Sequence, residues 1–218
     1  VIELLAITPP TGAVPPEIVD AWLDTDVKRL RFAVLLREPG ATPAQLLDPD
    51  GRLDALAKRC AEANIDVLLG CDFSQLDPET SKRVEASCRG IQLRGDPPLE
   101  ILRHARARFP QALIGRSCHG EPQPGAASVD YTVLAPIFAP RTAGRGKTPV
   151  GVEALRRWSR ATTDWLVALG GVEPTTAKAC LEAGARGLAS IRTFFGEPRQ
   201  VAQDVRALCA AHAAPPPP

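Results

Sequence analysis

Short apolar runs alternate along the whole chain with stretches whose apolar positions recur at helical spacing, the rhythm of strand-helix units. Residues 2–7 form an apolar run closed by Pro9-Pro10, and residues 15–27 place Trp22 and Leu23 at helical spacing behind an early proline. Residues 30–36 predict a second strand that runs into Arg37-Glu38. Thr42-Pro43 then caps a helical region reaching Asn64, broken at Asp48-Pro49-Asp50-Gly51. A third strand at 67–69 ends at Cys71-Asp72, a polar helix covers 78–87, and a fourth strand covers 90–93. Leu99 to Phe109 has helical spacing, and 112–115 is a fifth strand running into Arg116-Ser117-Cys118-His119.

Between His119 and Asp130 the chain holds Pro122, Pro124 and Gly125, which leave room for a turn or a stunted helix. The sixth strand is expected over 131–138, followed by a basic, glycine-rich loop at 139–149 and a helix over 151–160. The next apolar run, Val167-Ala168-Leu169, closes on Gly170-Gly171, and a helix with Pro174 near its start leads to Ala183-Gly184-Ala185 and an eighth run that reaches Arg192. A last helix spans 198–211. Eight strand runs alternating with helices predict a single α/β domain, a (β/α)8 TIM barrel with a reduced fifth helix, over residues 1–212. Residues 213–218 form a Pro-rich tail expected to be disordered.

Composition narrows the partners. The formal net charge is +1 and aromatic residues are few, so nucleic acid is not expected. No run is long enough to span a bilayer and no basic-then-apolar leader is present, so the expectation is a soluble, cytoplasmic protein with no membrane contact. The absence of any Met suggests that the sequence does not begin at the translation start, and the first strand is read as clipped. Cys60, Cys71, Cys88, Cys118, Cys180 and Cys209 contain no C-x-x-C pair, which argues against zinc and against a disulfide framework. Gly-x-Gly-x-x-Gly after the first strand is absent, which lowers a dinucleotide reading.

In such a barrel the working residues sit just past the C-terminal ends of the strands. The polar residues there include Arg37, Glu38, Asp72, Gln92, Arg94, Asp96, Ser117, His119, the loop cations Arg141, Arg145 and Lys147, then Gly170, Gly171, Ser190 and Arg192. Cations beside glycine turns suit a phosphorylated small molecule. Gly170-Gly171 is read as a phosphate cradle, against the plainer reading of a tight turn. His119 is placed to move a proton near neutral pH, or else it is a hydrogen-bonded loop histidine. Asp72 is either a magnesium ligand with Asp96 as the second, or a helix N-cap. Arg37 either binds anion or pairs with Glu38. Cys118 and His119 are adjacent on a strand and face opposite ways, so they do not form a nucleophile pair.

These residues resemble the thiamine phosphate synthase family, including its thiazole tautomerase (TenI) branch, over about residues 30–195. The resemblance is carried by Leu36-Arg37-Glu38, by residues 114–119 (Ile-Gly-Arg-Ser-Cys-His), by residues 130–138 (Asp-Tyr-Thr-Val-Leu-Ala-Pro-Ile-Phe), and by 167–172 with 183–192. It implies a (β/α)8 barrel and a small-molecule thiazole phosphate held by Gly170, Gly171 and the turn near Ser190. It also implies that Arg37 matches a diphosphate-binding arginine, Asp72 a metal-binding aspartate and Ser117 a serine of the pyrimidine pocket. Homo-oligomerisation is an analogy here, with the stunted fifth helix exposing a flank for it.

Several family positions are changed. The glutamine and lysine of Q-L-R-E-K are replaced in Leu35-Leu36-Arg37-Glu38-Pro39, Asn-Asp reads Cys71-Asp72, and H-L-G-Q-x-D reads Gln92-Leu93-Arg94-Gly95-Asp96-Pro97. Each lost charge-assisted contact to a diphosphate or its metal removes about 1.5 to 3 kcal/mol. The leading expectation is therefore tautomerisation of a thiazole phosphate by His119, with Arg192 leaning the same way and no cofactor needed. The second is the synthase reaction, which joins the thiazole phosphate to an aminopyrimidine diphosphate with Mg2+ and releases pyrophosphate. A non-catalytic phosphate-ligand binder and another phosphate-binding barrel, such as a phosphosugar isomerase, are the remaining readings.

Overall fold

Eight parallel strands close into one barrel in sequence order: β1 (Leu4–Ile7), β2 (Phe32–Leu36), β3 (Asp66–Cys71), β4 (Gly90–Leu93), β5 (Leu113–Cys118), β6 (Tyr131–Leu134), β7 (Leu166–Leu169) and β8 (Gly187–Ser190). β8 returns to pair with β1, from Leu4 opposite Leu188 to Ala6 opposite Ser190. The computed structural model describes residues 1–12, 14–122, 128–139 and 148–213. The proline-rich residues 214–218 and the loop cations Arg141, Arg145 and Lys147 lie outside them.

Eight α-helices occur among the described residues: α1 (Ile18–Leu23), α2 (Pro43–Leu46), α3 (Asp54–Glu62), α4 (Pro78–Ser87), α5 (Leu99–Arg108), α6 (Gly151–Ala161), α7 (Pro174–Glu182) and α8 (Pro198–Ala213). Proline opens α2, α4, α7 and α8, where its missing N–H has no helical partner to lose. Thr42 caps α2 in a reciprocal box with Gln45, and the Asp77 carboxylate accepts the Thr80 N–H at the start of α4. The expected break at 48–51 is present, so α2 and α3 share the second unit. The expected first helix is shorter than 15–27: α1 ends at Leu23, and a 3-10 turn over Asp26–Arg29 follows, capped by Thr25.

Two apolar layers hold the barrel. Inside, Leu5, Ile7, Ala33, Leu35, Leu68, Tyr131, Val133, Val167 and Ala189 fill the lumen. Outside, the alternate strand positions pack on the helices, for example Leu4, Val34, Leu69, Ile91, Ile114 and Leu188. This alternation decides which strand-end residues face the lumen. At the outer seam Trp22 is buried edge-on against Phe32, Phe194 and Phe195, and its Nε1 donates to the Phe194 carbonyl at 2.9 Å. That contact ties α1 to the chain just after β8.

The fifth unit departs from the others. No helix occurs among described residues between β5 and β6; the stunted helix expected there falls on a stretch whose Pro124 and Gly125 lie outside the described residues. The outward face of these strands carries buried polar groups beside the apolar Ile114, Cys118 and Leu134. Arg116 is buried there, donating from Nε to Thr132 Oγ1 at 2.9 Å and from Nη2 to Asp164 Oδ2 at 2.9 Å. Nearby, Asp130 Oδ2 accepts from Arg106 Nη2 at 2.6 Å and from the Ile114 N–H at 2.7 Å. β5 is longer than expected and runs through Arg116 to Cys118, while β6 stops at Leu134 rather than residue 138 because Pro136 has no N–H to continue the ladder. The segment beyond still follows β7, with the Ile137 and Phe138 N–H groups donating to Leu169 and Gly170 carbonyls.

Beneath the mouth, Gly115 sits in register between Gln92 and Tyr131. A Cβ there would lie 2.1 Å from Gln92 Oε1 and 2.2 Å from Tyr131 Cζ, so the missing side chain is what lets both reach across β5. Gly115→Ala is expected to displace them at a cost of about 1 to 3 kcal/mol. A denaturant midpoint equal to the unchanged protein's would contradict this.

Candidate active site

The C-terminal mouth divides into two halves. On one side are the ends of four consecutive strands: Arg37 after β2, Asp72 after β3, Arg94 and Asp96 after β4, and Ser117 and His119 at the end of β5. Each lies an even number of residues beyond a lumen-facing position of its strand, namely Leu35, Leu68, Gln92 or Gly115, and so continues the inward register. On the other side are the turns after β7 and β8.

Three of the expected residues are engaged in ways their spacing does not reveal. Asp96, expected as a second metal ligand, instead grips His119: Oδ1 accepts the His119 N–H at 2.7 Å and Oδ2 lies 2.5 Å from Nδ1. The Asp96 backbone is left-handed, with φ of 54°, and follows Gly95 at φ of 75°. This double turn after β4 brings the carboxylate over to the end of β5. Asp72 pairs with Arg94, whose Nη2 lies 3.1 Å from Oδ2 and 3.3 Å from Gln75 Oε1. Asp72 precedes a 3-10 turn at Phe73–Gln75, but its side chain makes no cap hydrogen bond. Glu38 pairs with Arg52 at 2.9 Å.

Arg37 is half-buried, and its backbone is pinned by Thr8, whose hydroxyl accepts the Arg37 N–H at 2.8 Å and donates to the Arg37 carbonyl at 2.7 Å. Ser117 Oγ accepts from Gln92 Nε2 at 3.3 Å. The Gln92 Oε1 and Tyr131 hydroxyl are buried below it without a protein hydrogen-bond partner. Cys118 faces outward and is buried, and its thiol donates to the Gly120 carbonyl at 3.2 Å. Burial raises that thiol above its ordinary value, so Cys118 and His119 form no nucleophile pair. All six cysteines are free, and burial pushes Cys60, Cys71, Cys88 and Cys180 up to about 12.

Gly170 and Gly171 are left-handed, with φ of 96° and 66°. A Cβ on Gly170 would come within 2.7 Å of Pro136, and one on Gly171 within 2.6 Å of Phe138. The glycines therefore form a turn that the segment after β6 packs against, and that turn leads directly into the capping box of α7 at Glu173 and Thr176. Ser190 differs from the expected phosphate ligand: its side chain takes the outward register and bonds Thr193 Oγ1 at 2.9 Å, which in turn donates to the Val172 carbonyl at 3.2 Å. This chain of bonds joins the β8 turn to the β7 turn, so any anion contact from this position falls to the backbone. Arg192 is exposed at the rim.

Two features were missed in the sequence. Arg94 was one cation among several, although its position two residues after the lumen-facing Gln92 aims it inward. The grip of Asp96 on His119 depends on a left-handed residue, for which Gly95-Asp96 was the available signal. Among the described residues no group of three or more His, Cys, Asp or Glu is arranged to hold a metal ion, and no helix is long and apolar enough to cross a membrane.

The model of the family described as thiamine monophosphate synthase matches residues 7–194. The chain is 33% identical over 98 residues to the thiamine-phosphate synthase of Koribacter versatilis, covering 44% of this chain and 46% of that protein. It is 24% identical over 191 residues to the thiamine biosynthesis bifunctional protein ThiM/ThiE of Symbiobacterium thermophilum, covering 86% and 37%. The matches thus span about half or less of the length of these curated relatives. Among solved structures, thiamine phosphate pyrophosphorylase from Pyrococcus furiosus superposes with a TM-score of 0.71 over 97% of this chain and 95% of that one, at 18% identity, a likeness of fold. With the family model covering most of the barrel, from the end of β1 to beyond β8, the chain belongs to the thiamine monophosphate synthase/TenI family.

Proposed function

We propose that the mouth binds a thiazole phosphate and that His119 moves a proton between two positions on it, an isomerisation in thiamine biosynthesis. The observation that carries this reading is the two-point grip of Asp96 on His119. A carboxylate on Nδ1 favours the proton there and makes Nε2 the basic nitrogen, while the second bond from the His119 N–H fixes the ring's approach. Such a base can take a proton from one carbon of the ligand and return it to another, with no change in composition. The Gly170-Gly171 turn, joined to the β8 turn through Thr193, suits the phosphate.

A second reading, the synthase reaction, is favoured by the names of the relatives, which are thiamine-phosphate synthases or a bifunctional protein of thiamine biosynthesis and not tautomerases. Arg37 after β2 and Ser117 in β5 are the residues that would serve it. Against its metal, Asp72 is paired with Arg94 and Asp96 with His119. Deuterium exchange into a carboxylated hydroxyethylthiazole phosphate, followed by NMR without added metal, separates the two. Exchange supports the isomerase. Pyrophosphate released only on adding aminopyrimidine diphosphate and magnesium, with no exchange, would give the second reading priority.

A further inference from the structure

We infer that this mouth operates without a divalent metal ion, the Arg94 guanidinium standing beside Asp72 as a fixed positive charge for a single phosphate-type anion. The inference rests on the reading above for the ligand's identity alone. A magnesium ion demands octahedral oxygen ligation, usually with one or two carboxylates turned to the same point. The acids of this half of the mouth turn to three different points: Glu38 to Arg52 at 2.9 Å, Asp72 to Arg94 at 3.1 Å, and Asp96 to His119 at 2.5 Å. Bringing Asp72 and Asp96 together on an ion would break the Asp96 contact with His119. It would also leave the Arg94 guanidinium against a dication, since Arg94 lies two residues from Asp96 and on Asp72 itself.

Arg94 is held rather than loose. Its side chain is 21% exposed, and Nη2 is shared between Asp72 Oδ2 and Gln75 Oε1. A guanidinium presents five N–H donors, so the rest of the fork is available to an oxyanion. The charges set a further limit. Among the described groups of this half of the mouth, the Arg37 and Arg94 cations stand with the Asp72 and Asp96 carboxylates. A monophosphate shared with the glycine turn is tolerable in such a field. A diphosphate carries more negative charge than this set neutralises without a metal, so the site selects against it.

The test is calorimetric titration of the intact chain with magnesium chloride, inorganic phosphate and pyrophosphate, each with and without chelator, for the unchanged protein, Arg94→Ala and Asp72→Asn, with circular dichroism to show that both variants are folded. The expected result is no saturable magnesium binding, phosphate affinity indifferent to magnesium or chelator, and phosphate binding weakened about tenfold in Arg94→Ala but not in Asp72→Asn. Saturable magnesium binding that disappears in Asp72→Asn, pyrophosphate binding tightened by magnesium, or phosphate binding unchanged in Arg94→Ala would each overturn the inference. Should the thiazole phosphates fail to bind while magnesium and phosphate behave as expected, the ligand assignment falls and the metal-free site stands.

Discussion

His119→Ala should abolish proton exchange on a thiazole phosphate, by roughly 10²- to 10⁴-fold, while leaving the affinity for that ligand nearly unchanged. The split follows from the mouth's geometry. Phosphate recognition is assigned to the glycine turns after β7 and to the cations after β2 and β4, whereas the imidazole stands at the end of β5 with its Nδ1 on Asp96. Rate measured by deuterium incorporation and affinity measured by calorimetry would report the two halves separately. Equal losses in both would mean that His119 holds ligand rather than moving a proton. Full retention of exchange would remove it from the chemistry altogether.

Asp164→Ala is expected to destabilise the fold by about 3 to 5 kcal/mol, a large share of the stability of a typical domain. The Arg116 and Asp164 side chains are only 5% and 13% exposed, and removing the carboxylate takes a charged partner from a buried guanidinium. Replacing both charges together, Arg116→Met with Asp164→Leu, should recover much of the loss, because an apolar pair of similar volume avoids the desolvation of either ion. Urea unfolding of the three variants checks this. A midpoint for Asp164→Ala within error of the unchanged protein would show that the pair contributes nothing. The pair also explains how β5 and β6 manage beside a connection with no helix among its described residues: polar bonds cover a face that other strands cover with a helix's apolar stripe.

One of the regions in which this chain departs from the family's pattern is the turn after β4. The turn after β4 carries Arg94, Gly95 and Asp96, and the two charged side chains go to different neighbours, Arg94 back to β3 and Asp96 forward to β5. A single altered turn thus changes both the charge offered to a ligand and the environment of the histidine. Relatives bearing synthase names and a mouth arranged around an Asp-His contact are compatible statements about one family. They separate only at the assay.

Much of this barrel was legible in the chain itself. Short apolar runs cannot bury both faces unless helices cover one and a lumen takes the other, and eight such runs close on themselves. Prolines 43, 78, 174 and 198 marked helix starts, and Thr42 announced its cap. Alternation set Cys118 and His119 on opposite faces, and the structure puts Cys118 on the outer one. What the tertiary structure alone decided was pairing. The spacing leaves Asp72 as a metal ligand or a helix N-cap, with Asp96 as a second oxygen ligand, and does not show their pairing with Arg94 and His119. Their partners lie 22 and 23 positions away along the chain, on neighbouring strands. Side-chain identity and local periodicity set which way a residue points, but which opposite charge it meets depends on register between strands and on one left-handed residue, and neither is written in local spacing.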